Sequence, residues 1–377
     1  MKEGWIYKKL RDLCNITTGK HDANHAKEGG VYRFYTCASQ YCYCDTYKYD
    51  GDCLILPGNG ANVGDVYRYS GKFDAYQRTY VLDKIKKDEV DINYLYYYFL
   101  CNWRKQGTAK QYGAATNYIV MGNFTNFTVG YPPHSEQLSI VARLDAAFAH
   151  IDALKANAEK QLAEASQLFQ AELAECMRQK EGWEEKMLKE IGLTQTGTTP
   201  SKADPKNYGD YIPFIRPSEI DVDGCGNIEY DSEMKLSEQG LNNGRLFKKH
   251  SILMVCIGAT ISKVGYCTED VSCNQQINIL TPKDGYDYKF VYYAMRNKDF
   301  KDRVIKEGTS AQATLPIINK SKWEQLSLFV PHFTDQQTIA SRLDALSANI
   351  KKLEELQRKT LAECGALKQA MLREVFE

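Results

Sequence analysis

The chain has 377 residues, of which 43% are hydrophobic and 25% are charged. This composition supplies enough apolar material for the cores of two or three domains and excludes global disorder. The equal counts of 48 basic and 48 acidic residues exclude a strongly basic protein that coats DNA. Any nucleic acid would have to be bound by local patches or with the help of a partner.

The same sequence predicts a cytoplasmic protein. It has no run of about 18 uncharged apolar residues, so no membrane span is expected. The start of the sequence, Met1-Lys2-Glu3-Gly4-Trp5, lacks the apolar stretch of a signal peptide. We therefore expect the twelve cysteines to stay reduced rather than to form a disulfide framework.

Residues 1–131 predict a compact α+β module. The segment opens on Gly4-Trp5 and continues through short apolar stretches that Gly, Asn and Asp interrupt, followed by a Tyr-rich apolar segment at 94–100. Such alternation of strands with a few helices is typical of an α+β domain. The glycine-rich stretch 58–64 is interpreted as a turn between strands, since its counterpart later in the chain keeps only part of the pattern.

A helix is predicted over residues 132–181. Prolines stand before its start, Ser135 is the expected N-cap, and acidic residues follow in the first turn. Apolar or small residues then recur at alternating spacings of three and four, which indicates coiled-coil packing. About 45 residues at 1.5 Å each give a rod of roughly 65 Å.

The second half of the chain repeats the first. Arg143-Leu144-Asp145-Ala146 returns as Arg342-Leu343-Asp344-Ala345, and Gln137 returns as Gln336 at the same shift. Gly182-Trp183 and Thr196-Gly197 likewise repeat Gly4-Trp5 and Thr18-Gly19. The sequence therefore predicts a second module at 182–330, with extra residues within 216–251, and a second helix at 331–377 whose expected N-cap is Thr334.

The two predicted helices carry apolar seams that polar Gln161 and Gln357 interrupt, a common device for fixing register. If the helices pair with each other, chain connectivity requires them to run antiparallel. The alternative is that each helix packs independently on its own module. The main seam residues are Ile140, Leu144, Ile151 and Leu154 in the first helix, and Ile339, Leu343, Ile350 and Leu353 in the second.

Signatures of catalysis are missing from the sequence. It contains no phosphate-binding loop of the Gly-x-x-x-x-Gly-Lys type, no Rossmann glycine fingerprint and no Asn/Asp-Pro-Pro-Tyr/Phe motif. Cys42 and Cys44, and also His21 and His25, have spacings found in metal sites, yet neither pair has a matching partner pair. We therefore expect a binding protein with no catalytic residues and no metal.

The order of module, helix, module, helix, together with the Gly-Trp and Thr-Gly openings and the two Arg-Leu-Asp helix starts, resembles the DNA-specificity subunits of type I restriction–modification systems. The resemblance spans essentially all of the chain and is strongest at 196–202 and 211–216. The first module departs from the pattern, because Thr18-Gly19-Lys20 lacks the Thr-Pro-Ser continuation found after Gly197.

This resemblance implies an α+β fold with two similar target recognition domains, separated by two long antiparallel coiled-coil helices with internal pseudo-two-fold symmetry. Each domain would read one half of a bipartite, asymmetric site in double-stranded DNA. The helices would set the spacing and dock two methyltransferase (modification) subunits through the seam residues named above. The expected partners are these subunits and the restriction subunits, and S-adenosylmethionine, ATP and Mg²⁺ would be bound by the partners and not by this chain.

Base reading requires forked donors and amides, and phosphate contacts require Lys, Arg or small hydroxyls. These residue types in the polar loops are the candidate DNA contacts. They are Lys20, Asn59, Asn62, Arg68, Arg78 and Asn117 in the first module, and Thr198, Ser201, Lys202, Arg216, Lys263, Gln276 and Gln312 in the second.

Two other functions remain open at this point. A duplicated scaffold without DNA specificity could bind other proteins through its modules and dimerise through its helices. An enzyme with an unrecognised site is the third possibility. If exchange of one module changes only one half of the methylated DNA sequence, the chain determines DNA specificity, and the other two functions are excluded.

Overall fold

The computed structural model describes residues 2–113, 116–221, 226, 228–231, 234–309 and 315–377. The chain forms two compact units. The first comprises Met1–Glu159 with Arg358–Glu377, and the second comprises Lys160–Gln357. Each unit therefore contains one module and parts of both long helices. The segment boundaries predicted from the sequence, at 131, 181 and 330, divide the chain by element rather than by unit and stay predictions.

The first unit contains a mixture of strands and short helices before its long helix begins. The strands are β1 Ile6–Lys9, β2 Asn15–Thr18, β3 Tyr32–Tyr35, β4 Cys42–Cys44, β5 Tyr49–Pro57, β6 Tyr67–Ala75, β7 Thr79–Asp83 and β8 Thr128–Tyr131. The helices are α1 Leu10–Leu13, α2 Ile92–Asn102 with a π-helical turn at Trp103–Gly107, α3 Met121–Thr125 and α4 His134–Cys176.

A six-stranded sheet in the order β2-β7-β5-β6-β3-β4 forms the body of this unit. The sheet curls, since the end of β6 reaches the end of β2: a Cβ on Gly19 would lie 1.8 Å from the carbonyl oxygen of Ala75. The facing glycines Gly51 and Gly71 both have positive φ angles, 115° and 130°, which side chains disfavour. These glycines allow the β5–β6 ribbon to bend.

The curled sheet has an apolar core on each face. One core lies between the sheet and the helices and includes Leu54, Tyr94 and Trp103. The other consists of Tyr35, Phe73 and their neighbours within the curl. Alternate residues of β5 serve the two cores, because successive side chains of a strand point to opposite faces.

The second unit repeats this plan, with shorter strands in place of the long pair β5 and β6. Its strands are β9 Glu184–Met187, β10 Gly192–Thr196, β11 Tyr208–Ile215, β12 Lys235–Leu236, β13 Ile252–Val255, β14 Val264–Tyr266, β15 Ser272–Cys273, β16 Ile277–Pro282 and β17 Ser327–Val330. Its helices are α5 Leu188–Ile191, α6 Glu238–Asn242, α7 Tyr288–Arg296, α8 Lys298–Thr309, α9 Lys320–Trp323 and α10 Phe333–Phe376.

Strand pairing shows that the modules are copies. The antiparallel pair β1–β8 corresponds to β9–β17, and the order β2-β7-β5-β6 corresponds to β10-β16-β13-β14. The parallel pairing of Phe34 with Asp74 recurs as Phe214 with Ser272. The additional segment predicted within 216–251 contains β12 and α6. The predicted α+β fold and the predicted duplication are confirmed.

The long helices run antiparallel within each unit. In the second unit, Arg342 pairs with Glu172 at 2.5 Å, and the Gln357 amide donates to Gln161 at 2.8 Å. In the first unit, Lys368 pairs with Asp152 at 2.5 Å. Thus the paired arrangement predicted from connectivity is present in both units. No helix in the described part of the chain is long and apolar enough to cross a membrane.

The predicted N-caps were wrong by two residues. Helix α4 begins at His134 and α10 at Phe333, so Ser135 and Thr334 lie inside the first turn. The carbonyl of Pro133 accepts the first helical bonds of α4, which places the cap before the predicted serine. The Pro-Pro sequence itself sets the extended backbone that precedes the helix.

The Arg-Leu-Asp repeat docks each helix on its own module. Leu144 and Leu343 are fully buried in the two cores. The following aspartate accepts a hydrogen bond from a tyrosine of the module: Tyr293 of α7 donates to Asp344 at 2.7 Å, and Tyr97 of α2 donates to Asp145. Burial, with the adjacent carboxylate adding to it, raises the pKa of both tyrosines, so they remain hydroxyl donors.

A buried glutamine completes each docking contact. Gln137 is 0% exposed; its amide donates to the carbonyls of Glu89 and Pro132, and its oxygen accepts from the backbone N–H of Asp91 at 2.8 Å. Gln336 makes the equivalent bonds to Pro331 and Asp287. Each glutamine thereby joins the start of a long helix to the cap of the helix that it packs against.

We expect Gln137→Leu to lower the free energy of unfolding by about 1–3 kcal/mol, because it leaves buried backbone groups without partners. Urea unfolding followed by tryptophan fluorescence measures the change. Gln170→Leu is the matched control: this glutamine repeats at the same shift but is exposed, so a change within about 0.5 kcal/mol is expected. Equal effects of the two substitutions would contradict the assigned role of Gln137.

Candidate nucleic-acid interface

Loops from distant parts of the first module meet at one end of its sheet. We call this surface loop face 1 and define it as residues 19–25, 36–41, 58–64, 76–78, 112–113 and 116–119. Backbone hydrogen bonds join the loops in a chain. They run from Gln77 to His21 at 2.8 Å, from Gly58 to Arg78 at 2.9 Å, and from Gly60 to Asn117 at 2.8 Å.

The structure brings together most of the predicted contacts of the first module on this face. Lys20, Arg78 and Asn117 are exposed, and Asn59 is half-buried at a bridge with Tyr118. Asn62 is also half-buried, and its amide donates to the carbonyl of Cys37 at 2.8 Å. Asn62 therefore braces two loops of the face, whereas the exposed side chains are placed to reach a ligand.

Arg68 lies beside this face rather than within it. The residue is exposed at the start of β6, donates to the side-chain oxygen of Asn93, and lies 5.4 Å from the ring centre of Tyr96. A groove along the loop at 38–41 includes the same arginine. Arg68 can thus contact a ligand only at the margin of loop face 1.

The second module builds the same surface from equivalent loops. We call it loop face 2, formed by residues 197–204, 216–219, 256–263, 274–276 and 315–317. Cys256 donates to the carbonyl of Gln276 at 2.8 Å, which repeats the bond from Gly58 to Arg78. Gly258 donates to Pro316 at 3.0 Å, which repeats the bond from Gly60 to Asn117.

The predicted contacts of the second module also gather on their face. Ser201 and Lys202 are exposed, and Thr198 is half-buried, with its backbone N–H bonded to Cys273. Lys263 donates to the carbonyl of Ile220 at 3.2 Å, and Gln276 accepts from the side chain of Asn274 at 2.9 Å. Gln312 lies outside the described residues.

Arg216 has a structural bond that the sequence did not reveal. Its guanidinium contacts Glu219 at 2.6 and 3.1 Å, and that carboxylate is only 5% exposed. Ser218 donates to the same carboxylate at 2.9 Å. The arginine is therefore held on the face by a buried counter-charge and loses much of its freedom to reach toward a ligand.

Sequence reasoning overlooked an aromatic surface next to loop face 1. Arg33 lies 4.3 Å from the ring centre of Tyr41 and 4.5 Å from that of Tyr69, and Lys72 lies 4.5 Å from the ring centre of Tyr47. Such stacked cations are held in place and still present polar edges. The signal was present in the Tyr-rich stretch 32–49, but strand packing explained those residues equally well.

Most of the predicted partner-binding seam residues serve the chain's own cores. Ile140, Leu144, Ile151, Leu343 and Ile350 are buried, and Ile339 and Leu353 are half-buried against the second core. Leu154 is 55% exposed. A partner that docks on the helices would therefore meet exposed leucines rather than the seam as a whole. These include Leu138, Leu154, Leu168, Leu356 and Leu367. The role of the seam residues in partner binding stays a prediction.

The two units define a duplicated recognition protein. Each has the same curled sheet with a polar loop face at one end, and the framework bonds of the faces are equivalent. The side chains on the two faces differ, however. Arg78 stands where the second unit has Gln276, and Asn59 stands where it has Ile257. Shared frameworks with different surfaces are what a protein that reads two different ligands requires.

The sequence profile of the type I restriction modification DNA specificity domain matches residues 2–164 and again 180–363. The chain therefore belongs to the type I restriction–modification DNA-specificity family and contains two such domains. It is a DNA-recognition subunit, and the alternative of an interaction scaffold without DNA specificity is not supported.

Individual relatives agree with this assignment. The chain is 26% identical over 400 residues to the specificity subunit of type I restriction enzyme EcoDI from Escherichia coli, covering 99% of this chain and 88% of that one. A chain from a solved type I restriction–modification system matches 100% of this chain and 98% of its own length, with a TM-score of 0.74 and 16% identity. The match to the HsdS subunit from Thermoanaerobacter tengcongensis covers 99% of this chain and 97% of that one, with a TM-score of 0.57 and 15% identity. These structures show a shared fold.

We expect Arg78→Ala to weaken binding of duplex DNA by about 1–3 kcal/mol if the side chain reads a base. If Arg78 instead contacts a phosphate, its removal should reduce the slope of log K against log salt concentration by about one. Fluorescence anisotropy at several salt concentrations measures both. The control is Arg11→Ala. Arg11 is exposed and precedes β2, so it lies at the end of that strand opposite loop face 1. Unchanged affinity and slope for Arg78→Ala would remove it from the interface.

Arg216→Ala is expected to act on stability as well. It removes the charged partner of Glu219, a residue that is 5% exposed, which costs about 1–3 kcal/mol of unfolding free energy. The cost stays below that of a fully buried ion pair because the arginine side chain is 36% exposed. Urea unfolding of this variant and of Arg78→Ala measures the difference in the free energy of unfolding. Equal stability of the two variants would contradict the structural role of Arg216.

Proposed function

We propose that this chain is the non-catalytic subunit that determines which DNA sequence a type I restriction–modification complex modifies. Loop face 1 and loop face 2 would each read one half of a bipartite, asymmetric site in double-stranded DNA. The observation that carries this proposal is the contrast between the two faces. Their framework hydrogen bonds repeat, while the exposed side chains that could contact bases do not.

The side chains on the faces have the chemistry that base reading needs. Arginine donates two parallel hydrogen bonds to guanine, and asparagine or glutamine pairs with adenine through an amide. Loop face 1 presents Arg78 and Asn117, and loop face 2 presents Gln276. Lys20 on loop face 1 and Lys202 on loop face 2 are exposed and suit phosphate contacts.

The charge balance of the chain supports a complex rather than a protein that binds DNA alone. Residues 1–131 have 17 basic and 13 acidic side chains, whereas residues 182–330 have 19 basic and 20 acidic ones. Binding to DNA depends strongly on neutralised phosphates. We propose that methyltransferase subunits supply much of this neutralisation, together with S-adenosylmethionine, while restriction subunits supply the ATP- and Mg²⁺-dependent steps.

The long helices would set the distance between the half-sites and dock the methyltransferase subunits. Their register is fixed within the second unit by the bond between Gln161 and Gln357, and Gln357 is only 9% exposed. A buried polar pair in an apolar seam disfavours shifted pairings. Exposed leucines such as Leu154 and Leu356 offer apolar contacts on the outer surfaces of the same helices.

Exchange of one module tests the reading of half-sites. The chain is co-expressed with its methyltransferase subunit, and residues 182–330 are replaced by the corresponding module of another specificity subunit. We expect one half of the methylated motif to change and the other half to remain, because each face reads separately. Sequencing that detects methylated bases across the host genome gives the result.

The reciprocal exchange of residues 1–131 is the matched control and should change the other half. A motif that is unaltered in both exchanges would contradict DNA reading by the modules. A motif that changes in both halves after a single exchange would contradict the assignment of one half-site to each face.

Shortening both helices tests their role as a spacer. We propose removal of residues 154–160 together with 358–364, which lie between the Asp152–Lys368 and Gln161–Gln357 pairs. Seven residues correspond to about 10 Å of helix, or about three base pairs of DNA. The number of base pairs between the methylated half-sites should therefore fall by about three, or methylation should be lost.

The control keeps the length and changes the surface. Lys155→Gln with Glu159→Gln removes an exposed ion pair in the same segment without deleting residues, and it should leave the spacing unaltered. Methylation by the shortened chain at the original spacing would refute the role of the helices in setting it.

A further inference from the structure

His21 and His25 of loop face 1 lie close to Asp74. His21 follows β2, His25 ends the 3-10 turn Ala23–His25, and Asp74 belongs to β6. The two imidazole rings stack with their centres 3.7 Å apart and their planes within 6°. One nitrogen of each histidine and one oxygen of the aspartate all lie within 4.8 Å of one another.

Asp74 is the partner that the sequence did not disclose. Its side chain is on the curled strand β6, and the residue is 1% exposed. One carboxylate oxygen accepts from the backbone N–H of Ala75 at 2.8 Å. The other oxygen faces His21 Nε2 at 3.5 Å and accepts from the Thr46 hydroxyl at 3.2 Å. A buried carboxylate thus faces His21 directly, and a nitrogen of His25 lies within 4.8 Å of it.

The distances between these atoms suit metal ligands. Because the two rings are stacked in parallel planes, their lone pairs do not converge, and one imidazole has to turn out of the stack for both to bind the same ion. Ligands bound tetrahedrally at about 2.0–2.1 Å lie roughly 3.3 Å apart, which is close to the 3.5 Å between His21 Nε2 and Asp74. Two imidazoles and a carboxylate are a common ligand set for zinc, with water in the fourth position. Water can reach such a position, since the His21 side chain is 41% exposed.

We propose that His21, His25 and Asp74 form a site for a divalent transition metal ion, with zinc as the best fit. Thr46 is the outer residue of this site: its hydroxyl lies 2.7 Å from His25 Nε2 and bonds to Asp74. Such hydrogen bonds orient metal ligands. The site does not depend on whether the chain reads DNA.

The second unit does not share this ligand set. The equivalent positions there hold Thr199, Ala203 and Ser272, the last of which pairs with β11 as Asp74 pairs with β3. The cluster is therefore not required by the duplicated framework. A bound ion would fix the loop that carries Lys20 against β6 in the first unit alone.

The nearby thiol of Cys44 is not part of this cluster. It donates to the carbonyl of Thr46 at 3.1 Å, and among the described residues the group whose ligand atoms all lie within 4.8 Å of one another consists of the two histidines and Asp74. The proposed site therefore uses nitrogen and oxygen ligands, which distinguishes it experimentally from a thiolate site.

The full chain, stripped of metal by dialysis against a chelator, is titrated with zinc chloride by calorimetry and with cobalt chloride by absorption spectroscopy. We expect one equivalent of each ion, and a cobalt spectrum without the intense near-ultraviolet band of thiolate ligation. His21→Gln should weaken zinc binding by at least about 100-fold, and Thr46→Val by about 10-fold, as removal of an outer partner does.

His134→Gln is the control, because this exposed histidine of the same unit begins α4 far from the cluster in sequence. It should bind zinc as the native chain does. Asp74→Asn gives a second test of the ligand set, and thermal unfolding confirms that each variant is folded. The proposal is overturned if the native chain binds no zinc, if folded His21→Gln binds it with native affinity, or if the cobalt spectrum shows thiolate ligation.

Discussion

The architecture depends on how each long helix is fixed to its own module. Buried Gln137 and Gln336 bond to carbonyls just before the helix and to the cap of the neighbouring helix. A buried amide with all its partners present is strongly directional, because any displacement leaves backbone groups unpaired. The Tyr–Asp bonds about two turns further along add a second fixed point. Two such points determine both the position and the direction of the helix.

This attachment explains why the two halves of the chain diverge unevenly. The glutamine and aspartate by which each long helix is fixed occur at one constant shift, since a change of the glutamine would leave backbone groups buried without hydrogen bonds. The loop faces are connected mainly by backbone bonds, such as those from Gly58 and Cys256. Backbone bonds do not specify side chains, so the exposed positions are free to differ between the two units. Backbone groups and a few buried side chains thus fix the geometry, whereas the exposed side chains that can contact a ligand differ between the units.

Much of the fold could be predicted from the sequence, because repeats and apolar periodicity report directly on strands, helices and duplication. The N-cap of α4 could not be located, since Pro132-Pro133 fixes the entry backbone and moves the start ahead of Ser135. Candidate contacts on the faces were recognisable by residue type and loop position. The contacts that these residues make within the chain could not be recognised in the sequence. Glu219 binds Arg216, and Asp74 lies near two histidines only because β6 curls back. Contacts between residues distant in sequence arise from tertiary closure, which local patterns do not encode.

The closure of the sheet also limits what can be altered in these domains. At Gly19 a Cβ would lie 1.8 Å from the Ala75 carbonyl oxygen, and at Gly197 it would lie 2.1 Å from that of Asn274. Neither distance can be relieved by turning a side chain, because both neighbours are backbone. A transplanted loop must therefore be joined at these two glycines. Libraries built to create new specificities can randomise the residues that follow them, but any library that includes the glycines themselves would consist largely of proteins that do not close.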